Sequence, residues 1–240
     1  MSLAKLPFLF SGMTAGYVLM TPPQPSVPRE KRSRDVTPYE RFFSAVVHRI
    51  VQLAKITTCA PFVLEIAVIL ANEYPSNQLS HFLIPILVRG SLARTGQIAL
   101  SPTFLLGWTL VLLNTTLRYR CYCALDRFFT YELTVRDGQR LVTHGPYSYV
   151  RHPSYTAVTL GAICIILMHV AQGSWTKECG ILQTPAGRAF GMLHVGLCVF
   201  LTLSVAWRTA GEDGMLRNHF GKEWEAYAQR VPYRMIPYVY

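Results

Sequence analysis

Hydrophobic residues in this chain are grouped into long uninterrupted runs, and charged residues fall between the runs. This clumping is typical of membrane proteins, because the hydrocarbon core of a bilayer excludes charge. The pattern therefore predicts an all-α integral membrane protein of about five transmembrane helices. The predicted spans are Leu6–Met20, Ile56–Ala71, Leu100–Leu117, Tyr155–Ala171 and Ala189–Trp207.

The segments between the runs have characters of their own. Residues 21–41 are rich in proline and charge, which predicts a flexible loop. Residues 42–55 have the apolar spacing of an amphipathic helix that leads into the second span. Residues 73–98 are broken by prolines and predict a loop with an interfacial piece. Residues 122–142 alternate aromatic and β-branched side chains before a turn signal, which predicts a short strand-like arm.

Two features near the N-terminus leave alternatives open. The first run could be a signal peptide, but it lacks a small-x-small cleavage site before Thr21, so an uncleaved short helix is favoured. Glu65 lies inside the second predicted span. It is either a functional group or a residue that faces a neighbouring helix.

Lys and Arg alternate in number between successive segments. The counts are one, seven, two, six, two and five, from Lys5 to the C-terminal segment. The positive-inside rule then places the N-terminus outside or in a lumen and the C-terminus in the cytosol. Two polar stretches fall on that cytosolic side: the first polar block, Leu141–Tyr155, and the second polar block, Arg208–Gly221. We expect these blocks to meet.

Composition narrows the classes of partner. The formal net charge is +10, but the basic residues are spread over several loops, which argues against nucleic-acid binding. The 6 cysteines form no CxxC pair, so the sequence indicates neither a zinc site nor a disulfide framework. The expected surroundings are a lipid bilayer.

The two polar blocks carry groups suited to a charged ligand. His152-Pro153 is a helix start, and backbone N–H groups there can receive a carboxylate. Arg208 and Glu212 are four residues apart, so they share one face of a helix that continues from the fifth span. Each residue also fits a simpler role as an anchor at the membrane interface.

The motifs in these blocks resemble those of the isoprenylcysteine carboxyl methyltransferase family. The first is GPYSYVRHPSYTAVTLG. The second is R-x3-E-D-x2-L-x3-FG-x2-W-x2-Y-x3-VP-x-R-x2-P, and the resemblance covers roughly residues 128–240. The broader relatives are membrane methyltransferases that act on phospholipids and small thiols. We therefore divide the chain into N-terminal membrane helices, 1–120, and a catalytic region, 121–240.

The resemblance implies a function and a location. S-adenosylmethionine would be held between the two blocks and would methylate the C-terminal carboxylate of a prenylated cysteine. The partners would be prenylated proteins processed at a CaaX sequence, and the enzyme would lie in the endoplasmic reticulum membrane with its site facing the cytosol. No metal is implied.

The resemblance also implies a set of site residues. Arg208 would be the catalytic residue that holds the substrate carboxylate, and Asp213 stands where the family usually has a second Glu. The implied cofactor contacts are Glu132, Gln139, Arg140, Leu141, Val142, Tyr147, His152, Pro153, Ser154, Tyr155 and Glu212.

Three other functions remain open at this point. A phospholipid or small-thiol methyltransferase shares the reaction class, although Arg208 favours an anionic acceptor over a cationic amine. A sterol-reductase-like membrane oxidoreductase would bind a nicotinamide cofactor in a similar region. An inactive structural membrane protein would retain the fold alone.

Overall fold

The computed structural model describes residues 3–24, 38–89, 92–129 and 138–239, with the side chains of 38–40, 92 and 93 excepted. These residues form helices and contain no β-strand, which confirms the all-α prediction for the described part of the chain. The helices are α1 (Leu6–Leu19), α2 (Pro38–Glu73), α3 (Gln78–Leu87), α4 (Pro102–Leu125), α5 (Pro153–Val170), α6 (Trp175–Glu178), α7 (Pro185–Phe220) and α8 (Lys222–Arg230).

Local sequence signals set the starts of the long helices. Thr184 caps α7, because its hydroxyl accepts a hydrogen bond of 2.9 Å from the Gly187 N–H. Ser101 caps α4 in the same way. In both cases a proline follows the cap and fits the first helical position, where no N–H donor is needed.

Each of the five predicted spans falls largely within a helix. By length and composition, α2, α5 and α7 are able to cross a membrane. The helix α1 is shorter, at 14 residues, and α4 carries two arginines near its C-terminal end. The helix α7 has 36 residues and is about 54 Å long at 1.5 Å per residue, well beyond a bilayer core of about 30 Å.

Two segment predictions differ from the structure, and a third agrees with it. The amphipathic helix leads without a break into the second span, and the two form α2. The expected loop over residues 73–98 contains α3, which begins where the Asn77 side chain accepts from the Leu79 N–H. The expected strand-like arm is wrong in its described parts: α4 continues to Leu125, a 3-10 turn follows over Asp126–Phe128, and residues 138–142 form no strand. Residues 130–137 of that arm and most of the expected flexible loop, 25–37, lie outside the described residues.

The hydrophobic core joins helices from both predicted regions. It includes Leu9 and Leu19 of α1, Phe62 of α2 and Ile165 of α5. Packing between α4 and α5 is close: a Cβ added to Gly107 would lie 2.8 Å from the Met168 side chain. The core therefore crosses the predicted boundary at residue 120.

The helix α7 is attached to the bundle mainly through small and polar side chains. Its buried residues include His194, Cys198 and Ser204, and His194 Nδ1 lies 3.0 Å from the Thr57 hydroxyl oxygen of α2. Apolar side chains such as Leu203 point outward. An outward apolar face is acceptable in lipid, where small and polar residues contribute much of the contact between helices.

A buried ion pair links α1 and α2 at the end of the bundle away from the second polar block. Lys5 Nζ lies 2.5 Å from Glu65 Oε1, and the same ammonium donates to the Gly173 carbonyl at 2.7 Å. The other Glu65 oxygen accepts from the Trp175 N–H at 3.1 Å. Of the two readings of Glu65, the structure thus favours contact with neighbouring elements.

Removing either member of this pair should destabilise the protein. Lys5→Met or Glu65→Leu leaves an uncompensated buried charge, so we expect each to lower the free energy of unfolding by about 3–5 kcal/mol. The double variant should lose less than either single variant. Unfolding in detergent micelles, analysed as a double-mutant cycle, measures the coupling.

The control for this cycle is Glu73→Gln, at the exposed end of α2. A surface change there should alter stability by no more than about 0.5 kcal/mol. Single variants of Lys5 and Glu65 that behave like this control would show that the pair contributes little.

Candidate functional site

A cavity opens where the two polar blocks meet, at the opposite end of the bundle from Lys5. Its empty space, open solvent at the mouth included, is about 1360 Å³. Its walls come from α1, α2, α4, α5, α7 and α8 and from the segment before α5. The predicted meeting of the two blocks is therefore seen in the structure.

Most of the residues implied by the motifs line this cavity. They are Gln139, Arg140, Leu141, Val142, Tyr147, His152, Ser154, Tyr155, Arg208 and Glu212. Pro153 lies behind the wall, where it is buried as the first residue of α5. Glu132 lies outside the described residues.

Tyr147 anchors the first polar block to the C-terminal helix. Gly145, with a φ of 62°, starts a 3-10 turn over Gly145–Ser148 that turns Tyr147 inward. The Tyr147 carbonyl accepts a hydrogen bond of 2.8 Å from the Tyr227 hydroxyl of α8. Burial raises the pKa of both phenols above the ordinary value of 10.0, that of Tyr147 strongly.

Asp213 of the second polar block forms the ion pairs that connect this block to the first. Its Oδ1 lies 2.9 Å from His152 Nε2. Its Oδ2 lies 3.2 Å from an amino group of Arg151 and 3.2 Å from Arg234 Nε. Asp213 is only 5% exposed. A buried carboxylate requires partners of this kind, because an unpaired one is costly to remove from water.

Glu212 lies beside this cluster and faces the cavity. Its Oε2 accepts a hydrogen bond of 2.6 Å from the Tyr155 hydroxyl. Its Oε1 lies 4.0 Å from His152 Nδ1. The rings of His152 and Tyr155 are stacked, with 5.5 Å between centroids and 8° between planes. Tyr155, in the first turn of α5, thus contacts both the His152 ring and the Glu212 carboxylate.

The C-terminal segment packs against the residues just before α5. The Arg151 N–H donates to the Tyr233 carbonyl at 2.9 Å, and the His152 N–H donates to the Arg234 carbonyl at 2.7 Å. The Thr156 hydroxyl also donates to the Met235 carbonyl. Carboxylate binding by the N–H groups of the first turn of α5 itself stays a prediction.

Arg208 lies on the extension of α7 beyond its predicted span. It is 6% exposed, and its guanidinium carbon lies 5.6 Å from the ring centroid of Phe43 on α2. Arg208 and Glu212 both line the cavity, as their four-residue spacing predicts.

Several cavity residues were missed by sequence reasoning. Arg118 of α4 is buried and donates to the Ser154 hydroxyl at 2.8 Å, and Arg151 lies over the Trp224 ring. From the sequence, Arg118 was interpreted only as the end of a span. An arginine so close to an apolar run was itself a signal of a functional residue. The wall from α2 had a weaker signal, the amphipathic spacing of residues 42–55, a segment that contains the cavity residues Phe43, Val47 and Val51.

The charges around the cavity are unequal in sign. The described residues that line it include four arginines, Arg118, Arg140, Arg151 and Arg208, and two carboxylates, Glu212 and Asp213. Another part of the wall is apolar and includes Phe43, Val47, Val51, Leu201 and Val205. The cavity therefore offers contacts for both an anionic group and a hydrocarbon group.

Comparison with known proteins connects this site to two groups of membrane enzymes. Residues 106–177 match the model of the Isoprenylcysteine carboxyl methyltransferase family. This match contains the first polar block and confirms the resemblance stated from its motifs. It ends before the second polar block.

Individual relatives give the same two groups. A Delta(14)-sterol reductase of Mus musculus is 30% identical over 103 residues, which is 43% of this chain and 20% of the reductase. A probable protein-S-isoprenylcysteine O-methyltransferase of Oryza sativa subsp. indica is 28% identical over 127 residues, 52% of this chain and 56% of the relative. Protein-S-isoprenylcysteine O-methyltransferase B of Arabidopsis thaliana is 27% identical over 135 residues, which is 55% of this chain and 58% of the relative. The chain thus spans less than two thirds of each.

The buried Tyr147 should make the protein sensitive to alkaline pH. Because its pKa is raised in the folded state, its stabilising contribution is complete below pH 10 and falls as the pH rises further. Tyr147→Phe should reduce the loss of unfolding free energy above pH 10 by up to about 1.4 kcal/mol per pH unit. Denaturant unfolding in detergent between pH 9 and about pH 11.5 measures this slope.

Tyr149→Phe is the matched control, since Tyr149 lies two residues away and is 74% exposed. We expect this variant to keep the slope of the original protein. An unchanged slope in Tyr147→Phe would mean that the phenol of Tyr147 does not resist ionisation in the folded state.

Proposed function

We propose that this protein is a membrane methyltransferase that transfers the methyl group of S-adenosylmethionine to the C-terminal carboxylate of a prenylated cysteine. The observation that carries this proposal is the cavity itself. It joins the arginine-rich meeting point of the two polar blocks to an apolar wall formed by membrane helices. A prenylated cysteine has the same two parts, a carboxylate and a hydrocarbon chain.

The apolar wall suits the prenyl chain. Phe43, Val47 and Val51 lie on successive turns of α2, and Leu201 and Val205 face them from α7. The acceptor chain would therefore lie between α2 and α7. A position between two helices that are able to cross a membrane would give a lipid-borne substrate access from the bilayer.

The charged end suits both the cofactor and an anionic acceptor. Arg208 would hold the acceptor carboxylate close to Phe43 and the apolar wall. Glu212 and His152 face the same space and offer acceptors for an ammonium group, and the faces of Tyr155 and Phe128 are available for the sulfonium or the adenine. The residues present thus fit the functional groups of S-adenosylmethionine.

The chemistry needs little from the protein beyond placement. The bond that breaks joins sulfur to the methyl carbon, and the bond that forms joins that carbon to a carboxylate oxygen. A C-terminal carboxyl group has a pKa of about 3.5 and is ionised at neutral pH, so no general base is required. Arg208 would orient the nucleophile, and the closed apolar wall would exclude water from it.

The proposal includes a location and partners. The alternation of Lys and Arg supports a cavity that faces the cytosol, and the resemblance to the family supports a five-span protein of the endoplasmic reticulum membrane. Proteins that have been prenylated at a CaaX sequence and then trimmed to a free carboxylate would be the acceptors. Farnesyl and geranylgeranyl chains both match the chemistry of the wall.

The central test is methyl transfer by membranes containing the protein. With labelled S-adenosylmethionine and N-acetyl-S-farnesylcysteine, we expect label in the methyl ester. Arg208→Ala and Glu212→Ala should each lower the rate at least about a hundredfold, because misplacement of a reacting group has costs of that order.

Arg217→Ala and Glu225→Ala are the matched controls. These residues form an exposed ion pair just beyond the site, with 2.8 Å between Arg217 and the Glu225 carboxylate, so their loss should leave the rate nearly unchanged. Full activity in the Arg208 and Glu212 variants would refute the site assignment. Label in phospholipid or a small thiol, with none in the prenylcysteine, would change the acceptor and retain the cofactor.

A sterol-reductase-type activity is the second candidate, because the mouse Delta(14)-sterol reductase shares 30% identity over 103 residues. The two candidates differ in cofactor. We expect S-adenosylmethionine to raise the unfolding temperature of the purified protein in detergent and NADPH to leave it unchanged. Stabilisation by NADPH that is lost in Arg140→Ala would favour the reductase.

A further inference from the structure

The apolar wall on α2 follows one face of that helix away from Arg208. Phe43 lies beside the Arg208 guanidinium, and Val47 and Val51 come one and two turns further along the helix. From Phe43 to Val51 the wall is about 12 Å long at 1.5 Å per residue. Ala54, in the next turn, is fully buried and lies outside the cavity lining. The wall available to a hydrocarbon chain therefore ends near Val51.

Met20, the residue that follows α1, closes this end of the wall. Its side chain lines the cavity, is 4% exposed and packs in one hydrophobic cluster with the apolar residues of α2. Its sulfur accepts a hydrogen bond of 3.8 Å from the Thr58 hydroxyl. Thr58 lies about 10 Å beyond Val51 along α2. Met20 thus fills the space into which the wall would otherwise continue.

The two helices come together at the same depth. Phe200 and Leu201 of α7 pack against the cluster that contains Met20. Further along, α2 and α7 are in direct contact, because His194 Nδ1 lies 3.0 Å from the Thr57 hydroxyl oxygen. A chain that runs from Arg208 along α2 therefore meets Met20 where the space between α2 and α7 closes.

The wall can be compared in length with prenyl chains. An extended carbon chain advances about 1.2 Å per bond, since the three backbone bonds of an extended residue span about 3.6 Å. The main chain of a farnesyl group then spans about 13 Å, and that of a geranylgeranyl group about 18 Å. The first matches the wall from Phe43 to Val51. The second is longer by one isoprene unit.

We propose that Met20 determines the length of the prenyl chain that this protein accepts, and that the protein prefers a farnesyl to a geranylgeranyl chain. This inference rests on the proposed function and names the acceptor within it. A fourth isoprene unit has to displace the Met20 side chain from a buried position that the Thr58 contact stabilises. In close-packed apolar pockets a mismatch of one methylene already changes specificity by about tenfold or more.

Changes in the size of residue 20 should shift the preference in opposite directions. Met20→Ala removes the end of the slot and should allow the longer chain to extend towards Thr58. Met20→Phe shortens the slot and should favour a geranyl over a farnesyl chain. Met20→Leu retains the volume of the side chain and should keep the original preference.

The experiment is a competition between acceptors in mixed detergent micelles. The full chain receives labelled S-adenosylmethionine and equal mole fractions of N-acetylcysteines that carry geranyl, farnesyl and geranylgeranyl chains, and the methyl esters are separated by chromatography. Product ratios give ratios of kcat/KM, which are insensitive to the fraction of folded protein. We expect a farnesyl-to-geranylgeranyl ratio of about ten or more in the unaltered protein, and a ratio within about twofold of one in Met20→Ala.

Met215→Ala is the matched control, because Met215 also lines the cavity but lies on α7 beyond Glu212. It should keep the ratio of the unaltered protein. Equal or better use of the geranylgeranyl chain by the unaltered protein would overturn the length limit and leave the proposed function intact. Unchanged ratios in Met20→Ala or Met20→Phe, or an equal shift in Met215→Ala, would overturn the role of Met20. Failure of the unaltered protein to methylate any of the three acceptors would instead refute the proposed function.

Discussion

The arrangement of the site depends on one buried carboxylate. Asp213 contacts a histidine and two arginines that come from two other parts of the chain, the start of α5 and the C-terminal segment. The desolvation of a carboxylate at such a position is offset only when these partners are all in place. The cost of separating them therefore favours a single relative placement of α5, α7 and the C-terminal segment. The shape of the cavity follows from that placement.

The attachment of α7 to the bundle is the second constraint. This helix carries Leu201, Val205, Arg208 and Glu212 to the cavity, yet much of its apolar surface faces outward. In water such a surface would drive association, whereas in lipid it carries little penalty. Polar contacts such as that of His194 with Thr57 fix its position instead. The same helix can thus remain in the bilayer and extend its charged end beyond it.

The sequence predicted the five long helices, the start of α5 at Pro153 and the meeting of the two polar blocks. These features depend on local patterns or on the alternation of basic residues, both of which can be read from one chain. The contacts of Asp213 could not be read in this way, because its partners lie 61 residues before it and 21 residues after it. The occupation of the Arg151 and His152 N–H groups was missed for the same reason. A local rule cannot show that the C-terminal segment, which is distant in sequence, pairs with the residues just before α5.

The cavity is lined by two parts of the chain that differ in their sequence similarity to known proteins. The first polar block lies inside the matched segment 106–177, which is similar to the methyltransferase family. The apolar residues Phe43, Val47 and Val51 lie outside it, on α2. On the proposed function, cofactor chemistry would then depend on the shared segment, whereas α2 would determine which hydrocarbon chain fits beside Arg208. On the same proposal, a change in the wall opposite α7 would alter the hydrocarbon chain accepted without disturbing the charges around Asp213.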